Sequence, residues 1–180
     1  VEPWAVTTLA DGFISPVSIR EVNGLLYVTD KGDGSIWKVT LDGVKTKLMN
    51  LAGAFWIDYF SNNDLLVATL TGFVHRISTA GAILQTWQTH ASQTTGWTTV
   101  SVDRQGTFGP ADEFSVIVAV GMSNVSFWRM QGGVLKNTKD SVIEPTGGGA
   151  WGGNASIGNT RWCQDPIGHY PWVAEQHPDE

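Results

Sequence analysis

The chain is predicted to be all-β, a β-propeller built of four-stranded antiparallel blades, about three complete blades plus a partial one. Three observations carry this. An apolar, β-branched run, a Gly, Asn or Asp turn and a second strand with a basic residue flanked by apolar ones recur along the chain. The runs themselves (Leu25 to Val28, Leu65 to Ala68, Val116 to Val120) are apolar on consecutive residues, so both faces of each strand must be covered, which radially stacked sheets achieve. No segment sustains a 3.6-residue period, so little helix is expected.

Each element follows in order. Trp4 to Leu9 precedes Ala10-Asp11-Gly12 and a first strand, so residues 1–12 read as the outer strand of a closing blade. Val17-Ser18-Ile19 is then a first strand, Leu25 to Asp30 a second, Ile36 to Leu41 a third after the Gly32-Asp33-Gly34 turn, and Val44 to Leu48 a fourth. That unit spans 13–50. The next, 51–90, places Trp56-Ile57, Leu65 to Thr69 and Phe73 to Ile77 in the corresponding strands, and the third occupies 91–140 around Val116 to Val120 and Val125 to Met130. A partial unit, 141–180, has strands near Thr160 to Gln164 and Trp172 to Gln176. Anchoring on Val28, Val67, Val118 and Val173 gives spacings of 39, 51 and 55 residues, each enough for four strands with growing insertions.

Leu26-Tyr27-Val28-Thr29-Asp30, with Gly32-Asp33-Gly34 and Ile36 to Gly43 behind it and Pro16-Val17-Ser18-Ile19 ahead, resembles an NHL repeat. More loosely it is similar to the gluconolactonase and strictosidine-synthase-like six-bladed propellers. The resemblance implies architecture and not activity. It implies first strands lining a central channel and closure by an outer strand that joins the two ends. A fragment of a longer ring, a four-bladed ring and a half completed by a partner chain all stay open. Metal-dependent lactonases of that family need acidic and Asn ligands converging on the axis, and no such set can be placed here.

Composition narrows the partners. Seventeen acidic against eleven basic residues, net charge -6, supply no cationic face for nucleic acid or an anionic membrane. The longest apolar run, Phe114 to Met122, is under half of a membrane-crossing helix, and Val1-Glu2-Pro3-Trp4 has no signal-peptide character. Cys163 is the single cysteine, so no internal disulfide forms. Only 16% of residues are charged, while Trp (9) and Gly (21) are over-represented among many Ser, Thr, Gln and Asn, a profile that points to an extracellular or virion surface.

Motifs of chemistry are sparse. Gly147-Gly148-Gly149-Ala150-Trp151-Gly152 has dinucleotide-loop spacing but neither the strand nor the helix that loop needs, so no cofactor is expected. Asp30 and Asp33 share a turn whose sister turns lack acids, so a plain hairpin is favoured over a calcium loop. Cys163, His169 and His177, with Asp165, Glu175, Asp179 and Glu180 nearby, match no zinc spacing. No Gly-x-Ser-x-Gly or His-Glu-x-x-His occurs, and neither catalytic nor metal-binding residues are assigned. Asn124-Val125-Ser126 and Asn154-Ala155-Ser156 are formal glycosylation acceptors in turn-like segments.

The tryptophans are the functional lead. Trp37 and Trp128, with His75 at the same register, belong to third strands and serve blade packing. Trp56 and Trp162 belong to first strands at one register, facing Val17, and Trp97 and Trp151 lie in or just before them; at a channel mouth these four rings would stack on sugars or clamp a small ligand. The expected function is therefore a non-enzymatic recognition or assembly module that binds carbohydrate, a protein partner or a second chain completing the propeller. A metal-dependent lactonase-like hydrolase and a virion or filament subunit are the alternatives.

Overall fold

The structure is a computed structural model that describes residues 7–89, 96–106, 110–120 and 124–142. The first sheet is β1 (Pro16–Val22), β2 (Leu25–Asp30), β3 (Ser35–Thr40) and β4 (Lys45–Asn50), hydrogen-bonded in that order. The second is β5 (Ala54–Tyr59), β6 (Leu65–Thr69), β7 (Phe73–Ile77) and β8 (Ile83–Gln88), and the third is β9 (Gly96–Asp103), β10 (Glu113–Val120), β11 (Asn124–Gln131) and β12 (Val134–Val142). All neighbouring strands run antiparallel, and no helix occurs among the described residues. The expected all-β architecture of four-stranded antiparallel units is thus what forms.

Local chemistry explains the turns. Asn23 and Gly24, at φ 51° and 75°, join β1 to β2, and Gly132 and Gly133, at 56° and 79°, join β11 to β12. Two-residue hairpin turns of matching twist require positive φ at both positions, which Asn and Gly tolerate. The Asp30 carboxylate, buried at the end of β2, accepts the backbone N–H groups of Ile14 and Ser15 at 2.7 Å each and of Gly32 at 2.9 Å. It therefore anchors the hairpin and the incoming chain. Asp33 instead pairs with the Lys47 ammonium at 3.1 Å.

Consecutive apolar residues are buried on both faces because the sheets stack. Every residue of β6 is buried. Leu65 and Val67 face the first sheet and pack with Val22, Tyr27 and Ile36, whereas Leu66 and Ala68 face the third and pack with Val100, Val116 and Val118. Burying one such side chain contributes about 1.5–3 kcal/mol, so two apolar interfaces hold the three sheets together. β5 lies against β1 and β2 on one side and β9 on the other, while the outer strand β8 is mostly exposed and β4 half exposed. First strands therefore gather at one inner edge.

Strand pairing corrects the repeat register. Val28 lies opposite Trp37 and Val67 opposite His75, but it is Val116, not Val118, that lies opposite Trp128. Val116 and Val118 differ by two residues and share a face, because side chains alternate with period two. A second correction concerns Asn124, which pairs with Val120 and Val142 as the first residue of β11 and so does not lie in a turn. Residues 1–6 of the proposed outer strand lie outside the described residues. So do Asn154, Gly147 to Gly152, Cys163, His169, His177 and the strands expected in 143–180.

Candidate functional site

The inner edge is where the first strands expose backbone groups that no fourth neighbour pairs. Side chains from the preceding sheet satisfy them. The Ile57 N–H of β5 donates to Ser18 Oγ of β1 at 3.4 Å, and the Val102 N–H of β9 donates to Asp58 Oδ2 of β5 at 2.8 Å. Thr29 Oγ1 donates to the Phe55 carbonyl at 2.7 Å. An unpaired buried N–H costs about 1–3 kcal/mol, so these polar links are as much a part of sheet stacking as the apolar core.

Asp58 is the centre of this edge. Its carboxylate is 5% exposed and accepts two guanidinium groups, Arg104 Nη1 at 2.9 Å and Arg20 Nε at 3.4 Å, from the third and first sheets. Arg104 also donates to the Tyr59 carbonyl at 3.0 Å and stacks on the Tyr59 ring, 4.1 Å from its centroid. Arg20 donates to the Ile19 carbonyl at 2.9 Å and lies 6.0 Å from the centre of the Trp56 ring. Both arginine side chains remain 36% exposed. Two positive charges on one buried carboxylate leave a local positive excess in an acidic chain, beside two half-buried aromatic rings.

Of the four predicted ligand-binding tryptophans, Trp56 is on β5, half-buried and packed on the cluster between the second and third sheets. It stands at the register of Ser18, not of Val17, because it pairs with Ala68 as Ser18 pairs with Thr29. Trp97 is on β9 opposite Ala119, while Thr99 occupies the register that matches Trp56, so the two tryptophans are not equivalent positions. Trp151 and Trp162 lie outside the described residues. Sequence reasoning missed Arg20, Asp58, Tyr59 and Arg104. The signal was Asp58 itself, a lone carboxylate inside Phe55-Trp56-Ile57-Asp58-Tyr59-Phe60, since a charge in such a strand requires buried partners. Among the described residues no group of three or more His, Cys, Asp or Glu side chains is placed to hold a metal ion.

This arrangement of sheets has structural likenesses. Virginiamycin B lyase from Staphylococcus aureus, in a catalytically inactive form with Quinupristin, superposes with a TM-score of 0.52 at 14% identity, over 75% of this chain and 43% of that one. A streptogramin B lyase gives 0.50 at 18% identity, over 72% and 41%. BBS1N in complex with ARL6DN gives 0.50 at 18% identity, over 72% and 40%. The described sheets form a partial β-propeller. No protein-family model matches the chain, and no curated protein matches it. The chain spans less than half the length of these structures, and at such identities the likeness concerns the fold alone.

Proposed function

We propose that this propeller section is a non-enzymatic recognition and assembly module with NHL-like repeats, working at an extracellular or virion surface. Its ligand-binding part is the inner edge around Trp56. The observation that supports it is the convergence of Arg20 and Arg104 from two sheets on Asp58 of a third, beside the Trp56 and Tyr59 rings, with both arginine side chains still over a third exposed. Trp, Tyr and Arg are the side chains that dominate binding hot spots, because rigid rings and planar donors lose little freedom on contact. Carbohydrate fits this chemistry: ring faces stack on a pyranose while guanidinium N–H groups donate to its hydroxyls. A protein partner would use the same groups, and the fold likeness includes a propeller in complex with another protein.

Intrinsic tryptophan fluorescence titrated against neutral and acidic oligosaccharides, with a glycan array in parallel, tests the carbohydrate reading. Saturable change in emission is expected, with binding at least tenfold weaker in Trp56→Ala and in Arg104→Gln. Unchanged emission together with a blank array would sink it.

A further inference from the structure

We propose that the ligand of the inner edge carries a carboxylate, and that Arg20 and Arg104 bind it together. This rests on the carbohydrate reading above and names its class, an acidic sugar; the comparison below separates a failure of this proposal from a failure of that reading.

Charge is the first argument. Asp58 carries one negative charge and meets two arginines, whereas Arg76 meets Asp64 and Lys47 meets Asp33 one to one. Those two pairs are neutral; the Asp58 cluster keeps one positive charge. Among the described residues no second acid is ion-paired with either arginine. Glu21, beside Arg20 in the chain, instead accepts the Gly24 N–H at 2.5 Å in the turn from β1 to β2. An unmatched charge against a buried carboxylate and half-buried rings is screened less than one in open water, so an anion arriving there is held more firmly.

Donors are the second. Arg20 Nε and Arg104 Nη1 reach the same oxygen, Asp58 Oδ1, which sets the two guanidiniums side by side. Arg20 Nη1 then donates to the Ile19 carbonyl, and Arg104 Nη1 donates again to the Tyr59 carbonyl. Nη2 of Arg20 and both Nη2 and Nε of Arg104 are left, with no hydrogen-bond partner among the described residues. These bonds, and the Tyr59 ring 4.1 Å from Arg104 Cζ, hold the guanidiniums in place, so little freedom is lost when a ligand arrives. A carboxylate brings two coplanar acceptor oxygens, the geometry a guanidinium fork matches, together with the single charge the cluster lacks. A sugar hydroxyl accepts the same N–H groups but leaves that charge unmatched. A phosphate ester brings close to two charges at neutral pH, more than the cluster can offset.

A glycan array carrying neutral, uronic, sialylated and sulfated glycans, followed by titration of each bound glycan against its carboxyl methyl ester, reads the charge requirement. Every bound glycan is expected to carry a carboxylate, its methyl ester to bind the wild type at least tenfold more weakly, and the gap to narrow as salt rises. Arg20→Gln or Arg104→Gln leaves the cluster neutral, so each should reduce the gap between acid and ester to about twofold or less, with an unchanged circular dichroism spectrum. Arg76→Gln, at a side chain of similar exposure (32%) in a one-to-one pair, should keep the full gap. Neutral or sulfated glycans that bind as well as carboxylate-bearing ones, or an ester that binds the wild type like its acid, overturn the proposal and leave the carbohydrate reading standing; this comparison needs no variant to fold. A gap that survives in both Arg20→Gln and Arg104→Gln overturns it too. A blank array with unchanged emission removes both readings.

Discussion

Burial holds the His75 imidazole below its usual value of 6.5, since the charged form loses water between β6 and β8. Its Nδ1 lies 2.9 Å from Thr86 Oγ1, which orients the ring without a carboxylate to stabilise a proton. With the folded value depressed, the unfolded chain takes up a proton first as pH falls. The stability this neutral histidine contributes is therefore full above about pH 6.5 and is lost as pH falls through the folded value. We expect the thermal midpoint of wild type to drop across that acid window and that of His75→Gln to drop less, measured by calorimetry in matched buffers. The equivalence of His75 with Trp37 and Trp128 was readable from residue order. Its loss of water was not, because that depends on what the neighbouring strands bring.

At the level of the element, the turns after third strands carry an unusual constraint. Gly43 and Gly81 hold φ of 89° and 88°, and a Cβ on Gly43 would collide with the Leu9 carbonyl oxygen, just as one on Gly81 would come within 2.9 Å of the Leu48 carbonyl oxygen. Leu9 therefore sits against the first sheet as Leu48 of β4 sits against the second. Gly132 also has positive φ, 56°, but open space around it. Gly132→Ala should cost only the left-handed strain, about 1–2 kcal/mol, and Gly43→Ala clearly more, about 2–4 kcal/mol, because the crossing segment must also shift. Urea unfolding with an unchanged slope separates the two. That these turns would contain glycine was plain from the repeats; that Gly43 is crossed by Leu9, 34 residues earlier, and Gly81 by Leu48, 33 residues earlier, was not.

For the molecule as a whole, Asp58 ties three sheets through Arg20, Arg104 and the Val102 N–H. Substituting Asp58→Asn removes the charge that both guanidiniums share. Since each arginine is over a third exposed and partly screened, the loss should be about 1–3 kcal/mol, below what a fully buried ion pair would cost. Hydrogen exchange should show it as earlier opening of the third sheet, with faster exchange at Val102, while the first hairpin (β1 and β2) is little changed. Equal acceleration in all three sheets would argue against Asp58 as the link.

Residue order alone indicated the central hairpin of each described sheet, β2–β3, β6–β7 and β10–β11, and the need to cover both faces of β6. Hairpin turns and apolar runs act over a few neighbours, so their consequences are local. Stacking decided the rest. Whether Val116 or Val118 meets Trp128 differs by two residues of identical facing, which only the backbone ladder distinguishes. The meeting of Arg20, Asp58 and Arg104 joins residues from three repeats, and no short-range pattern encodes a contact set by how one sheet lies on the next.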